Sequence, residues 1–130
     1  MTLEREEAYL IVERYVEGWK ANNPSDILSV LSRDCVIRES HGPTYRGKEL
    51  VEEWVKEWMR AGNTVERWDV ENFVYEWELA SFEWDFECTV DGEKRRLLGA
   101  SVVRFEGREI AEMREYRMTQ APFDWSRGRA

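Results

Sequence analysis

The sequence predicts an α+β fold in which three helices of the N-terminal half pack on one face of a curved antiparallel sheet. Two changes of pattern carry this prediction. Apolar residues recur every three or four positions through most of residues 3–61, which is typical of amphipathic helices. From Thr64 onward apolar and polar residues alternate, and Asp91-Gly92 marks a hairpin turn. Helices followed by an antiparallel meander predict two packed layers.

The first two helices are predicted over residues 3–20 and from Ser25 to Leu31. Asn22-Asn23-Pro24 interrupts the helical spacing, and the Ser25 hydroxyl can cap the second, shorter helix. The apolar stripe of the first helix is Leu3, Ala8, Ile11, Val12, Tyr15, Val16 and Trp19, and that of the second is Ile27, Leu28, Val30 and Leu31.

A short strand and a third helix follow. Residues 34–41 alternate and predict a strand, and Gly42-Pro43 then turns the chain. Residues 48–61 return to helical spacing, with Trp54 and Trp58 on the apolar stripe, and Gly62-Asn63 ends the helix. One face of the predicted strand carries Cys35, Ile37, Glu39 and His41.

Four further strands are predicted at about 65–77, 80–91, 94–106 and 109–119. The second separates its faces most clearly, because Phe82, Trp84, Phe86, Cys88 and Val90 alternate with Glu83, Asp85, Glu87 and Thr89. The apolar set is predicted to face inward and the acidic set to form a solvated or cross-strand-paired outer face. The predicted inward set of the third is Leu97, Gly99, Ser101, Val103 and Phe105, since the other set contains Arg104.

Composition narrows the class of protein. The chain has 130 residues, which suits one domain with its own core. Seven Trp, five Tyr and five Phe need a core, a pocket or an interface, and they exclude a disordered chain. The net charge of −8 argues against nucleic-acid binding, and the basic residues Lys94, Arg95 and Arg96 are too few to reverse it.

Other classes are excluded by missing signals. The sequence has no membrane-length apolar stretch, and Met1–Glu7 is unlike a signal peptide, so we expect a cytoplasmic protein. Cys35 and Cys88 are expected to be buried reduced thiols. One histidine cannot build a multi-histidine metal site, and no nucleotide, flavin or phosphate-loop motif occurs, so we expect no cofactor and no metal.

The order and spacing of several segments resemble the nuclear transport factor 2-like superfamily and, within it, the SnoaL-like group. The resemblance extends from about Glu6 to Thr119 and leaves a tail at 120–130. Its carriers are Tyr15 with Trp19, the Asp34–Glu39 strand, Tyr45-Arg46-Gly47, Val103-Arg104-Phe105-Glu106-Gly107, Ile110 and Arg114-Glu115-Tyr116. It implies a cone-shaped, cystatin-like α+β barrel whose strongly bent sheet wraps the long helix and leaves a pocket. Members commonly dimerise, and their activities range from isomerases, cyclases, hydrolases and dehydratases to silent binding modules.

The resemblance also suggests residue roles. The catalytic tyrosine of the steroid isomerases in the superfamily falls on Tyr15, and their proton-shuttling aspartate falls on Glu39. Their second acid falls on Ser101, whose hydroxyl is a weaker hydrogen-bond donor than a neutral carboxyl. In polyketide cyclases the pocket acid lies on the last strands, where Glu115 is the nearest candidate. The resemblance also favours Met113, Glu115 and Arg117 as the inward set of the last strand.

These observations predict a pocket with Glu39, Tyr15 and Glu115 as its catalytic residues. A carboxyl that enters an apolar cavity has a raised pKa, which suits a general base. Glu39 pairing with Arg117 or Arg46 is the structural alternative, and an imitation of the hydrolase Asp-Arg-Asp relay by Glu39, Arg117 and Glu115 is a second. The predicted ligand-binding residues are Trp19, His41, Trp54, Trp58, Trp84, Phe86, Ser101, Met113 and Arg117.

Two classes of function follow. The first is cofactor-free acid–base chemistry of an isomerase, cyclase or hydrolase type on a small apolar, carbonyl-bearing molecule. The alternative is a ligand-binding or dimerisation module of the same fold, whose carboxylates would pair with arginines. In either case we expect a homodimer and neither nucleic acid nor membrane as a partner. The dimer contact is predicted on the outer sheet face, through Ala100, Val102, Arg104, Arg114 and Tyr116.

Overall fold

A computed structural model describes residues 3–126, and within this range the chain forms three helices and six strands. The elements are α1 (Arg5–Lys20), α2 (Pro24–Ser29), β1 (Leu31–Arg38), β2 (Thr44–Arg46), α3 (Lys48–Arg60), β3 (Thr64–Glu76), β4 (Leu79–Val90), β5 (Glu93–Glu106) and β6 (Glu109–Arg117). The strands form one sheet in the order β2-β1-β6-β5-β4-β3. The α+β class is therefore confirmed.

Helix α1 begins with reciprocal hydrogen bonds between Glu4 and Glu7, a capping box that satisfies amide groups of the first turn. Its buried stripe includes Val12, Tyr15 and Trp19, as the helical spacing predicts. Helix α2 crosses α1 at Gly18, where an added Cβ would lie only 2.8 Å from atoms of Ile27. The two helices can approach this closely because position 18 has no side chain.

Strands β3 to β6 form the predicted antiparallel meander, and the turn at Asp91-Gly92 joins β4 to β5. Both turn residues have positive φ, +52° and +80°, as a tight hairpin of this type requires. Register shifts interrupt β3 against β4 twice and β5 against β6 at Arg104/Phe105. Bulges of this kind bend strands and let a sheet wrap around a helix.

The three helices lie in the N-terminal half, and β1 and β2 lie between α2 and α3, where one strand is predicted. One detail of the predicted layout is wrong: the sheet is not antiparallel throughout, since β1 runs parallel to β6. The first strand, β1, thus pairs with β6, the last strand of the meander. Local sequence patterns carry no information on a pairing between strands so far apart along the chain.

The predicted bounds around β1 are also wrong. Leu31 was assigned to the second helix but begins β1, because the backbone there pairs with β6 through a 2.7 Å hydrogen bond from Ile110 N–H to the Val30 carbonyl. At its other end β1 stops at Arg38, before Glu39 and His41. The chain turns there and returns as β2, a strand that the pattern did not predict.

The outer face of β4 is paired across strands, as predicted. Asp85 accepts two hydrogen bonds from Arg96 (2.9 and 2.7 Å), and Arg67 lies 3.0 Å from the same carboxylate. The bond from Arg96 is the largest influence, and together these guanidinium contacts lower the pKa of Asp85 to about 2. The inner face of β5 is also confirmed, since Ser101, Val103 and Phe105 are buried.

The segment after β6 has no regular structure over residues 120–126, and the last four residues of the predicted tail lie outside the described range. Its two aromatic side chains, Phe123 and Trp125, are 70% and 73% exposed. Cys35 and Cys88 are free and buried, and burial raises the pKa of both thiols.

Candidate active site

A cavity of about 280 Å³ lies between the helix-covered face of β3–β6 and the C-terminal half of α3. This volume is close to the lower end of ligand pockets in proteins, about 300–1,000 Å³. Its wall is mostly aromatic, with Trp58 from α3, Trp68 from β3, and Trp84 and Phe86 from β4. Phe86 contacts both Trp68 and Trp84 edge-on, so the aromatic side chains form one continuous surface.

Glu39 enters the cavity from the turn after β1. A 2.8 Å hydrogen bond from its backbone N–H to the Pro43 carbonyl fixes this turn. The hydroxyl of Tyr45 donates a 2.7 Å hydrogen bond to Glu39 Oε1, and His41 Nε2 lies 3.9 Å from the same oxygen. Within residues 3–126 neither Arg117 nor Arg46 contacts Glu39, whose side chain meets the Tyr45 hydroxyl and, at 3.9 Å, the His41 imidazole.

Glu115 is the second carboxyl in the cavity wall. It lies on β6 directly opposite Ser101 of β5 and keeps partial exposure through the cavity while the rest of the protein surrounds it. Burial, and then the negative charge of Glu39, raise the pKa of Glu115 to about 8. At neutral pH this carboxyl is mostly protonated, so it can donate a hydrogen bond.

Tyr15 lies behind the cavity and not in its wall. It is 1% exposed and contacts Trp19 and Trp68 edge-on, with ring centroids 6.4 and 6.0 Å apart. Burial raises the pKa of its phenol well above the ordinary value, and the negative charge of Glu115 adds to the shift. The phenol therefore stays neutral and remains a hydrogen-bond donor.

Four of the predicted ligand-binding residues do not reach the main cavity wall. Ser101 is fully buried, and its Oγ accepts a 2.9 Å hydrogen bond from Trp84 Nε1, so it orients the indole. Met113 is fully buried in the core. Trp19 and Trp54 line a small recess of about 50 Å³ that shares Trp58 and Glu39 with the main cavity. A stack of Trp54 on Tyr45, with ring centroids 4.0 Å apart, explains its position.

The other predicted residues do line the cavity: Glu39, His41, Trp58, Trp84, Phe86, Glu115 and Arg117. Arg117 has no ion-pair contact with either carboxyl within the described part of the chain, so no charged relay of the hydrolase type is formed.

The predicted site residues leave out several residues of the cavity wall, among them Trp68 and Arg95. Trp68 was not predicted, because no inward set is predicted for β3, whose alternation is broken by a register shift between Val65 and Arg67. Arg95 shares a strand face with Leu97, and both line the cavity, so extending the alternation of β5 by one step would have found it.

Neither a metal centre nor a membrane span is formed by the residues described. Among residues 3–126 there is no group of three His, Cys, Asp or Glu side chains arranged to hold a metal ion. The helices in the same range are too short or too polar to cross a bilayer.

Comparison with known proteins gives a family and a set of related folds. The model of the SnoaL-like domain matches residues 12–113. A comparison with curated proteins finds no match. An epoxide hydrolase of Mycobacterium tuberculosis, described as LEH-like, superposes with a TM-score of 0.78 at 12% identity, covering 87% of this chain and 84% of that one.

Two further structures are similar. A putative isomerase from Bacillus subtilis has a TM-score of 0.77 at 13% identity and covers 89% of this chain and 90% of its own. A hypothetical protein from Catenulispora acidiphila, with a ketosteroid isomerase-like fold and bound trimethylamine, has a TM-score of 0.68 at 19% identity and covers 82% and 83%. At these identities the likeness shows the fold, and function has to be argued from the cavity.

Proposed function

The chain belongs to the SnoaL-like domain family, and we propose that it is an enzyme of cofactor-free acid–base chemistry acting on a small apolar molecule with a carbonyl group. The observation that carries this proposal is that the carboxyls of Glu39 and Glu115 line one aromatic cavity, where burial raises the pKa of Glu115 to about 8. Glu39 acts as the base and Glu115 as the acid. Pairs of titratable groups whose surroundings separate their protonation states are typical of acid–base sites.

The chemistry uses each group in the state described above. The carboxylate of Glu39 takes a proton from the carbon next to the carbonyl, and the electron pair of the broken C–H bond moves toward the carbonyl oxygen. Glu115 donates its O–H hydrogen bond to that oxygen and stabilises the negative charge that develops there. When Glu39 returns the proton to another carbon, the reaction is an isomerisation, and neither step requires a redox change.

Glu115 can take the part that the steroid isomerases give to a second acid. Ser101, which the resemblance places there, is occupied by the Trp84 indole, and Glu115 lies opposite it on the neighbouring strand. Tyr15 is close enough to feel the charge of both carboxyls, but it is buried behind the cavity wall, so its part in this proposal is to support that wall and not to donate to the ligand.

The binding-module alternative predicts carboxylates paired with arginines and a lowered pKa. The raised pKa of Glu115, caused mainly by burial, and the contact of Glu39 with Tyr45 instead of an arginine favour the enzyme. Relatives described as an epoxide hydrolase, a polyketide cyclase and an isomerase make epoxides and ketones reasonable first substrates.

The test is a screen of enolisable ketones and epoxides with the wild type, Glu39→Gln and Glu115→Gln. Glu39→Gln should lower kcat by roughly 10²–10⁴-fold, the usual contribution of a positioned base. Glu109→Gln, the same change at an exposed carboxyl that begins β6, should leave it unchanged. Turnover that survives Glu39→Gln would contradict the proposal, and so would a protein that binds these compounds without converting any of them.

We also propose that the protein forms a homodimer through the outer face of β5 and β6. Tyr116, 52% exposed, is the main apolar residue available there, and Arg104 and Arg114 flank it in contact with Glu112. Sedimentation should show a dimer at roughly tens of micromolar protein. A monomer at that concentration, or a dimer unaffected by Tyr116→Glu, would contradict this contact.

A further inference from the structure

Two arginines at the cavity have no side-chain partner among residues 3–126. Arg95 on β5 and Arg117 on β6 both line the cavity and are both exposed, so they mark its open end. Within residues 3–126 neither guanidinium has a hydrogen bond or an ion pair. Their neighbour Arg96, which faces outward, donates two hydrogen bonds to Asp85, from Nε and Nη2.

The charge of Arg95 acts on the cavity wall. Burial raises the pKa of Cys88, which lines the cavity, and Arg95 is a smaller influence in the opposite direction. Guanidinium groups remain charged at all accessible pH values. The open end of the cavity therefore carries two permanent positive charges on a chain with a net charge of −8.

The charges around the cavity do not balance. Glu39 contributes one negative charge, whereas Glu115 is mostly protonated at neutral pH because its pKa is about 8. Two guanidiniums against one carboxylate leave an excess of one positive charge, which a ligand with a single negative charge would neutralise.

We propose that the ligand of this cavity is an apolar monocarboxylate, whose carboxylate is held by Arg95 and Arg117 while its body lies against the aromatic wall. Guanidinium groups bind carboxylates through paired N–H donors, which fixes the orientation as well as the charge of the ligand. This inference rests on the proposed function and specifies its substrate: the reacting carbonyl lies toward Glu39 and Glu115, and the carboxylate lies at the two exposed guanidiniums, of which Arg117 is two residues from Glu115 on the same face of β6. A phosphate ester would bring one charge too many, and a cationic amine would meet two positive groups.

Isothermal titration calorimetry with cinnamate and its uncharged analogue cinnamamide tests this without requiring turnover. The wild type should bind cinnamate at least about tenfold more tightly, a difference of about 1.4 kcal/mol. The preference should disappear in Arg95→Gln/Arg117→Gln and persist in Lys94→Gln, which removes a charge from the outward face of the same strand. All three positions are exposed, so the variants should fold, which thermal unfolding can check.

Phenyl phosphate and trimethylamine serve as further probes. Tighter binding of either than of cinnamate, equal affinity for cinnamate and cinnamamide, or no cinnamate binding up to about 10 mM would overturn the inference. A preference that survives loss of both arginines would also overturn it.

The failure of this inference and that of the proposed function can be distinguished. Glu39→Gln removes the one negative charge of the cavity, so it should bind cinnamate more tightly while it loses turnover. A cinnamate preference without turnover of any substrate leaves the carboxylate site standing and removes the enzyme. If neutral ketones are turned over in a Glu39-dependent way and cinnamate shows no preference, the enzyme stands and the carboxylate site is removed.

Discussion

Ser101 and Glu115 lie directly opposite each other across β5 and β6, on the face of the sheet that the helices cover. The two side chains have different roles on this face. Ser101 accepts the hydrogen bond of Trp84 and fixes the aromatic wall, while Glu115 places a neutral carboxyl in the cavity. We propose that Glu115, on the adjacent strand, supplies the hydrogen-bond donor that Ser101 does not.

The pKa of Glu115 makes stability depend on pH. In the folded protein it is about 8, compared with 4.5 for the free group, so the folded state binds the proton more tightly. The contribution of this group to stability is therefore fully present below pH 4.5. It is lost as pH rises from 4.5 to about 8, by at most about 1.4 kcal/mol per pH unit. Solvent reaching the cavity reduces this slope, because Glu115 is partly exposed.

Glu115→Gln should remove that dependence. Urea unfolding between pH 5 and pH 9 should show that the free energy of unfolding of Glu115→Gln rises relative to that of the wild type as pH rises. Glu109→Gln should keep the pH dependence of the wild type. A parallel course of the Glu115→Gln and wild-type curves would contradict the raised pKa. The turnover rate measured with any substrate should also fall as pH rises through about 8, because Glu115 then loses the proton with which it donates its hydrogen bond.

The hydrogen bond between Trp84 and Ser101 should have a measurable role in stability. Both groups are buried, so Ser101→Ala leaves the indole N–H without a partner and should cost about 1–3 kcal/mol. Trp84→Phe removes the donor, and Ser101→Ala should cost much less in that background. Chemical denaturation of the four proteins of this double-mutant cycle measures the coupling. Additive effects would mean that the bond contributes nothing.

Alternation along β4 was sufficient to predict Trp84 and Phe86 in the cavity wall, whereas Glu115 and Arg117 of β6 were predicted from the family resemblance. These strands pair over the relevant stretch without a bulge at those residues, so the period of two is preserved. On β3 register shifts break the period of two, no inward set is predicted, and Trp68 was therefore missed. Alternation on its own cannot locate such a shift.

The entry of Glu39 into the cavity is a different case. The predicted strand placed it on the right face, but the strand ends at Arg38, and a turn closed by the Pro43 carbonyl carries the residue instead. Its hydrogen bond from Tyr45 depends on β2, which is only three residues long and has no alternation to recognise. Contacts of this kind come from tertiary structure and leave no periodic signal.

Tyr45 is expected to position Glu39. Its ring is stacked on Trp54, and burial, with smaller effects of Glu39, raises the pKa of its hydroxyl, so it stays protonated and donates to Oε1. Tyr45→Phe keeps the stack and removes the donor. A hydrogen bond to a charged group contributes about 1.5–3 kcal/mol, so kcat should fall by roughly tenfold or more with little change in KM.

Tyr116→Phe, the same change at an exposed residue, is the control for Tyr45→Phe. A purely structural role would lower stability without affecting the kcat of the folded enzyme. Unchanged kcat in Tyr45→Phe, measured where the variant is fully folded, would therefore contradict a positioning role.

Gly99 leaves the space that the Trp84 indole of the aromatic wall occupies. It lies on β5 between Trp84 on one neighbouring strand and Arg117 on the other, and the Trp84 ring lies over it. A Cβ at this position would be 2.1 Å from the Tyr116 carbonyl oxygen and 2.4 Å from the Trp84 ring. Gly99→Ala should therefore destabilise the protein by about 1–3 kcal/mol or more, as overpacking does, and should push the indole into the cavity.

Since the closer contact is with backbone, Trp84→Phe in the same chain should recover only a part of the loss. Chemical denaturation measures the first effect and calorimetry with cinnamate the second. An unchanged denaturation midpoint, or full recovery by Trp84→Phe, would mean that the sheet can yield at this point and that Gly99 does not define the shape of the cavity.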